Sequence, residues 1–124
     1  MFELSKQFRF DAAHTLDRSI QTDSSRRIHG HSYRAEITLR GKPDPVTGMI
    51  VDIGILEERM EETRDALDHR FLDEINDLGP ATMENLCHWI WSRLKPSISN
   101  LARVSVYRDS SGETCSYWDE EVSA

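Results

Sequence analysis

From His31 to Gly41 the chain alternates in character residue by residue. Tyr33, Ala35, Ile37 and Leu39 are apolar, while Arg34, Glu36, Thr38 and Arg40 between them are polar. Successive side chains of a strand point to opposite faces, so the alternation demands a strand with one oily and one charged side. A strand of that kind belongs to an antiparallel sheet covered on one face and wet on the other. The same period carried back along the chain puts His29 and His31 side by side, with Gly30 between them leaving room for a backbone or ligand to approach. A third imidazole, His14, would complete a three-nitrogen site. Three protein ligands is the count of a catalytic zinc, which keeps its fourth position open; a structural zinc would need a fourth ligand, and no cysteine lies nearby. Spacing alone does not bring His14 to the pair, and a lone His-x-His is common, so the cluster is an expectation for the fold to test.

A first strand spans about Phe2 to Ala13, where Phe2, Leu4, Phe8 and Phe10 alternate with polar residues. Thr15 to Arg27 is polar and reads as an exposed loop. KPDPVTG, from Lys42 to Gly48, is dense in turn residues. Asp52 stands at an N-cap position, and Ile53, Leu56, Met60, Thr63 and Leu67 follow at helical spacing, an amphipathic helix that ends at Asp68-His69-Arg70. Thr82 caps a second helix, with Glu84 in its first turn, that runs to Lys95 and stops at Pro96. Leu101 to Tyr107 is a third strand and Thr114 to Trp118 a fourth. The order β-β-α-α-β-β in a single domain over residues 1–124 indicates an α+β fold, with two helices on one face of a four-stranded antiparallel sheet.

With 124 residues the chain suffices for one core. Its net charge of −7 argues against a nucleic acid or an anionic membrane as partner, although Arg26, Arg27 and Arg34 near the histidine pair leave room for a local grip on a phosphorylated small molecule. The same arginines are equally read as solvated surface charges. Hydrophobic residues make up 38%, a modest share that fits surface buried against other copies. Two cysteines without disulfide or metal spacing, no signal-peptide pattern and no long apolar run point to a reduced, cytoplasmic setting.

Several motifs then occur in order. Phe8-x-Phe10-x-Ala12-Ala13-His14 is followed by His29-Gly30-His31-x-Tyr33 and by Gly48-Met49-x-Val51-Asp52. Leu67-Asp68-His69-x-x-Leu72 and Pro80-x-Thr82-x-Glu84-Asn85-Leu86 complete the set. In these residues the chain resembles the family of 6-pyruvoyltetrahydropterin synthase and bacterial 6-carboxytetrahydropterin synthase. The resemblance runs from residue 8 to 86 and weakens in the last quarter. It implies the tunnelling fold, whose copies join through their sheets as barrel-like homo-oligomers, trimers or hexamers. It implies Zn2+ on His14, His29 and His31, and a dihydropterin substrate of the 7,8-dihydroneopterin triphosphate kind. The metal would act as a Lewis acid on substrate oxygens while a base removes a proton and triphosphate leaves. In the carboxy branch acetaldehyde is also released, and the product feeds 7-deazaguanine and queuosine synthesis.

The resemblance also assigns roles. Asp68 and His69 match a proton-relay pair, the carboxylate orienting the imidazole. Thr82 and Glu84 match the pterin side of the pocket. Two positions depart from the pattern. The usual cysteine base, four residues before His-Gly-His, is here Ser25, whose hydroxyl is a far poorer base. The glutamate that accepts from the pterin's amino-pyrimidine edge is here Arg108, which carries donors only. Asp109 could replace it through a bulge, or Glu113 through a longer insertion. Three readings follow: a 6-carboxytetrahydropterin synthase-like lyase, a diverged paralogue with other pterin chemistry such as aldolase-like cleavage, or a non-catalytic zinc- or pterin-binding protein.

Overall fold

The computed structural model describes residues 1–20 and 22–119. Strands β1 (Phe2–His14) and β2 (His29–Gly41) form a long antiparallel ribbon, and β3 (Leu101–Arg108) and β4 (Glu113–Tyr117) extend it in the order β1-β2-β3-β4. Every neighbouring pair is antiparallel. Helices α2 (Ile53–Asp65) and α3 (Met83–Leu94) cover one face, so the α+β architecture expected from the pattern is present.

The alternation in β2 decides which side is which. Tyr33, Ala35, Ile37 and Leu39 are buried beneath the helices with Phe10, Val104 and Val106. Opposite them, Leu56 and Met60 of α2 and Leu86, Ile90 and Leu94 of α3 complete the core. Burial of this apolar set is the main force that holds the helices on the sheet. The other face carries polar pairs in register. The Ser5 and Thr38 hydroxyls lie 2.9 Å apart, Gln7 donates to Glu36, and Arg34 reaches Asp109.

Four local expectations need correction. The stretch read as an exposed loop contains a one-turn helix, α1 (Thr22–Arg26), and Ser25 in it is buried. The loop is closed by Leu16 N–H donating to Ser25 O at 2.8 Å, and a five-residue helix is too short to leave an apolar period. The first long helix stops at Asp65, before Asp68. A tight turn follows, then a 3-10 turn at Leu72–Glu74. Ile53, assigned to the core face of α2, is exposed at the helix's first position, while Leu56 and Met60 farther along it are buried. The bulge of β3 lies at Ala102, opposite Thr38 and Leu39, and not near Asp109.

Candidate metal centre and its cavity

His14 ends β1 and pairs in register with His29 at the start of β2. The antiparallel register supplies what spacing could not: it brings His14 against the His-Gly-His pair. The three rings lie with centroids 4.5, 4.9 and 5.0 Å apart, and one nitrogen from each falls within 4.8 Å of the others. His14 Nε2 and His31 Nε2 are 3.1 Å apart. Two nitrogens on one tetrahedral zinc, each about 2.05 Å from it, stand roughly 3.3 Å apart. The donor set therefore fits a small tetrahedral cation.

The remaining ring nitrogens support that fit. His14 Nδ1 donates to the Ala81 carbonyl at 2.8 Å, and His29 Nδ1 donates to the Arg27 carbonyl at 2.8 Å, which leaves each Nε2 as the free lone pair. Burial lowers the pKa of His14 against the opposing pull of the Ala81 carbonyl, with the neighbouring His29 ring and the Arg108 guanidinium adding to the lowering. Burial, with Arg108 and the other two imidazoles behind it, lowers that of His31 to about 4. Both rings are thus biased toward the neutral form, the form that ligates metal.

The cluster opens into a cavity of about 860 Å³ lined also by Tyr33, Thr82, Glu84, Arg108, Glu113 and Cys115. Tyr33 forms part of the wall, stacked on Phe10 at 4.9 Å, and burial pushes its hydroxyl pKa up to about 12. Thr82 and Glu84 come from the start of α3. The Thr82 hydroxyl accepts from Asn85 N–H at 3.1 Å, so it is the N-cap foreseen. Ser24 and Ser25 line the cavity from α1.

Other candidates fall elsewhere. Arg26 pairs with Asp17, and Arg27 offers the histidine site its backbone carbonyl; neither arginine side chain lines the cavity. Arg34 and Asp109 pair on the open sheet face at 3.0 Å, where Arg9 also approaches. Of the two acidic candidates only Glu113 lines the cavity, and it is ion-paired with Arg108. Arg18, Arg108 and Cys115 were not among the sequence candidates for this cavity. For Arg108 the signal was present: a period of two from Val104 and Val106 puts it on the covered face. Arg18 sits in a loop where no period exists. A Cβ on Gly30 would meet only Ala12 O at 3.5 Å, an ordinary contact, so the chain itself does not need glycine there.

His69 lines a second cavity with Asp11, Gly30, Ser32, Arg70 and Phe71, and Asp68 lies close to Asp11 and His69 without lining it; His31 lines both cavities. The turn is clamped to the end of β1. Asp11 N–H donates to Asp68 Oδ1 at 2.9 Å, His69 N–H to Asp11 O at 2.7 Å, and Ala13 N–H to Arg70 O at 3.0 Å. These bonds hold His69 at φ 58, a left-handed conformation uncommon outside glycine. Its ring is 79% exposed and Nε2 is 3.9 Å from Asp68 Oδ1, beyond hydrogen-bond length. The Asp11 N–H bond, then Arg64, holds the Asp68 carboxyl below its usual range.

The family model described as 6-pyruvoyl tetrahydropterin synthase matches residues 3–120. The chain belongs to that family. A 6-carboxy-5,6,7,8-tetrahydropterin synthase from Synechocystis is 30% identical over 121 residues, covering 93% of this chain and 88% of the relative. The human 6-pyruvoyl tetrahydrobiopterin synthase is also 30% identical over 121 residues, covering 85% and 83%. The structure of 6-pyruvoyl tetrahydropterin synthase from Caenorhabditis elegans superposes with a TM-score of 0.82 at 26% identity, covering 96% of each chain. This 6-pyruvoyl tetrahydropterin synthase relative has the family's sheet and helices. In its cavity, Ser25 and Arg108 stand where the family resemblance leads one to expect a cysteine and a glutamate.

Proposed function

We propose that the chain is a zinc-dependent lyase of the 6-carboxytetrahydropterin synthase type, acting on 7,8-dihydroneopterin triphosphate and serving 7-deazaguanine and queuosine synthesis. The observation that carries the reading is the three-histidine cluster, with the His14 and His29 rings oriented by backbone carbonyls, lining a cavity large enough for a bicyclic ring. A zinc ion held by His14, His29 and His31 would supply Lewis acidity toward substrate oxygens.

The other residues bind, orient and move protons. Glu113 and Glu84 offer acceptor oxygens to the amino-pyrimidine edge of a pterin. Thr82 holds the start of α3 in place. Asp68 anchors the turn that presents His69 at the second cavity, where an exposed imidazole is free to exchange a proton. A copy of the chain is the proposed partner, in a trimer or hexamer closed into a barrel. The unpaired edges of the thirteen-residue β1 and of β4 support this, as do exposed Phe2 and Trp118 at those edges. The free thiols of Cys87 and Cys115 support a reducing, cytoplasmic setting.

Turnover of 7,8-dihydroneopterin triphosphate by zinc-loaded protein tests the reading, with pterin product and acetaldehyde measured together. No product from any dihydropterin would overturn it. Ser25 and the Arg108–Glu113 pair favour a second reading, a diverged paralogue whose pocket takes a different dihydropterin and cleaves it in an aldolase-like manner. Tight pterin binding without turnover of either kind would mark a binding protein.

A further inference from the structure

Arg108 is the least accounted-for group in the metal cavity. It ends β3 on the covered face, in register with Glu113 across β4. Its side chain is only 20% exposed, and its guanidinium meets its surroundings in three ways. Nη2 pairs with the Glu113 carboxylate. Nη1 lies 3.3 Å from His31 Nε2. Nε is buried with no hydrogen-bond partner among the described residues. The nitrogen that Nη1 touches is the same His31 lone pair that faces His14 Nε2. A metal on the three histidines takes that lone pair. Nη1 then loses its acceptor, and the guanidinium keeps two N–H positions, Nη1 and Nε, without a partner inside a half-closed cavity. A buried charged donor left in that state is costly unless something accepts from it.

Charge points the same way. The charged side chains lining the cavity, Arg18 and Arg108 against Glu84 and Glu113, cancel among the described residues. A divalent ion on three neutral imidazoles therefore leaves the loaded cavity cationic. Only an incoming anion can restore the balance, and the one acid already on Arg108, Glu113, is 44% exposed and able to swing away.

We propose that Arg108 determines ligand specificity by taking an oxyanion, a carboxylate or phosphate group of the ligand, beside the metal. A guanidinium binds such a group through paired charge-assisted hydrogen bonds, and it has no acceptor with which to hold an amino-pyrimidine edge. The ring is left to the carboxylates, and Arg108 reads the acidic substituent. This assignment rests on the metal-and-pterin reading above and narrows its substrate to one with an anionic group close to the metal.

The test is equilibrium binding to zinc-loaded protein, followed by ligand fluorescence. Two probes differ only at the substituent: pterin-6-carboxylate and the neutral 6-hydroxymethylpterin. Wild type is expected to bind the carboxylate at least about tenfold more tightly, Arg108→Met to lose that preference while retaining zinc, and Arg108→Lys to keep part of it. Glu113→Gln, which removes the internal competitor, is expected to widen the preference for the carboxylate probe severalfold, the ring contacts being common to both probes. Equal affinity of wild type for the two probes, or a preference that survives in Arg108→Met, overturns the proposal. If Arg108→Met does not fold, Glu113→Gln decides, and an unchanged preference between the two probes there overturns it. Competition by inorganic phosphate separates a phosphate-selective site from a carboxylate-selective one. If neither pterin binds but pyruvate or phosphate raises the melting temperature of wild type and not of Arg108→Met, the oxyanion site stands and the pterin reading falls. If no oxyanion binds at all, the oxyanion site falls.

Discussion

His14 Nδ1 donates across 2.8 Å to the carbonyl of Ala81, a bond that ties the end of β1 to the residue just before the α3 cap. Metal binding and the seating of α3 are therefore linked. Zinc at one hundred times its dissociation constant is expected to stabilise the protein by about 2.7 kcal/mol, a rise of roughly 10 °C in melting temperature for a domain of this size. His14→Ala is expected to lose both the zinc and the rise. It also leaves the Ala81 carbonyl without its donor, costing a further 1–3 kcal/mol or so even in the metal-free state. Metal content and thermal melts with and without a chelator check this; a zinc-induced rise in His14→Ala would refute the assignment.

The metal-free protein is expected to be acid-sensitive in a defined window. His31 in the folded state is held at about 4 by burial, with Arg108 and the two neighbouring imidazoles behind it, and His14 is lowered by burial too. In the unfolded chain both titrate near 6.5. Between those values the unfolded state binds more protons, so stability falls as pH drops from about 6.5 toward 4 and is flat above. Melts of the chelated protein across pH 4 to 8 should show that slope, and His31→Ala should flatten it.

Most of the fold was legible because its elements obey simple periods. The alternation in β2 gave the sheet its covered face, and the caps at Asp52 and Thr82 marked the helix starts, with side chains that accept from Gly54 N–H and Asn85 N–H. His14 was readable as a candidate third ligand but its place beside the pair was not, since it meets His29 only through a ribbon register that spacing does not encode. Ser25 was hidden by a helix too short to show a period. Asp109 was misplaced because a bulge that would turn it inward occurs instead at Ala102, so Arg108 keeps the inward position. Asp68 and His69 were readable as residue types, but not the clamp on β1 that turns His69 to a second cavity.

The cap itself is a separate prediction. Because the Thr82 hydroxyl accepts from Asn85 N–H at 3.1 Å, Thr82→Ala is expected to cost about 1 kcal/mol and lower the melting temperature by roughly 4 °C, while Thr82→Ser restores it. If Thr82→Ser instead weakens pterin binding at unchanged stability, the hydroxyl is a ligand contact and not only a cap.

His69 reaches the second cavity, and among the described residues only His31 lines both. If His69 serves the metal cavity of a neighbouring copy, His69→Ala and His31→Ala proteins are each inactive alone and regain activity when mixed and reassembled. Zinc content stays normal in His69→Ala. A mixture no more active than its parts shows that the pair acts within one chain or not at all.

Ser25 decides how far the pocket has moved from a synthase. Its side chain is buried in the wall of the metal cavity, and its carbonyl closes the loop through Leu16, so Ser25→Cys is a small change in a fixed place. A thiol beside Arg18, Arg108 and a divalent metal would have its pKa lowered toward neutrality and act as a far better base than the hydroxyl. Cys87 cannot substitute for it, since burial pushes that thiol well above its usual range. Ser25→Cys is therefore expected to raise turnover of 7,8-dihydroneopterin triphosphate by about tenfold or more, with a rate that climbs through the thiol's pKa. Wild-type turnover that Ser25→Cys leaves unchanged would place the proton-accepting group elsewhere, at His69 first. Absence of turnover in both proteins would leave the diverged paralogue, with Arg108 as the residue that redirected it.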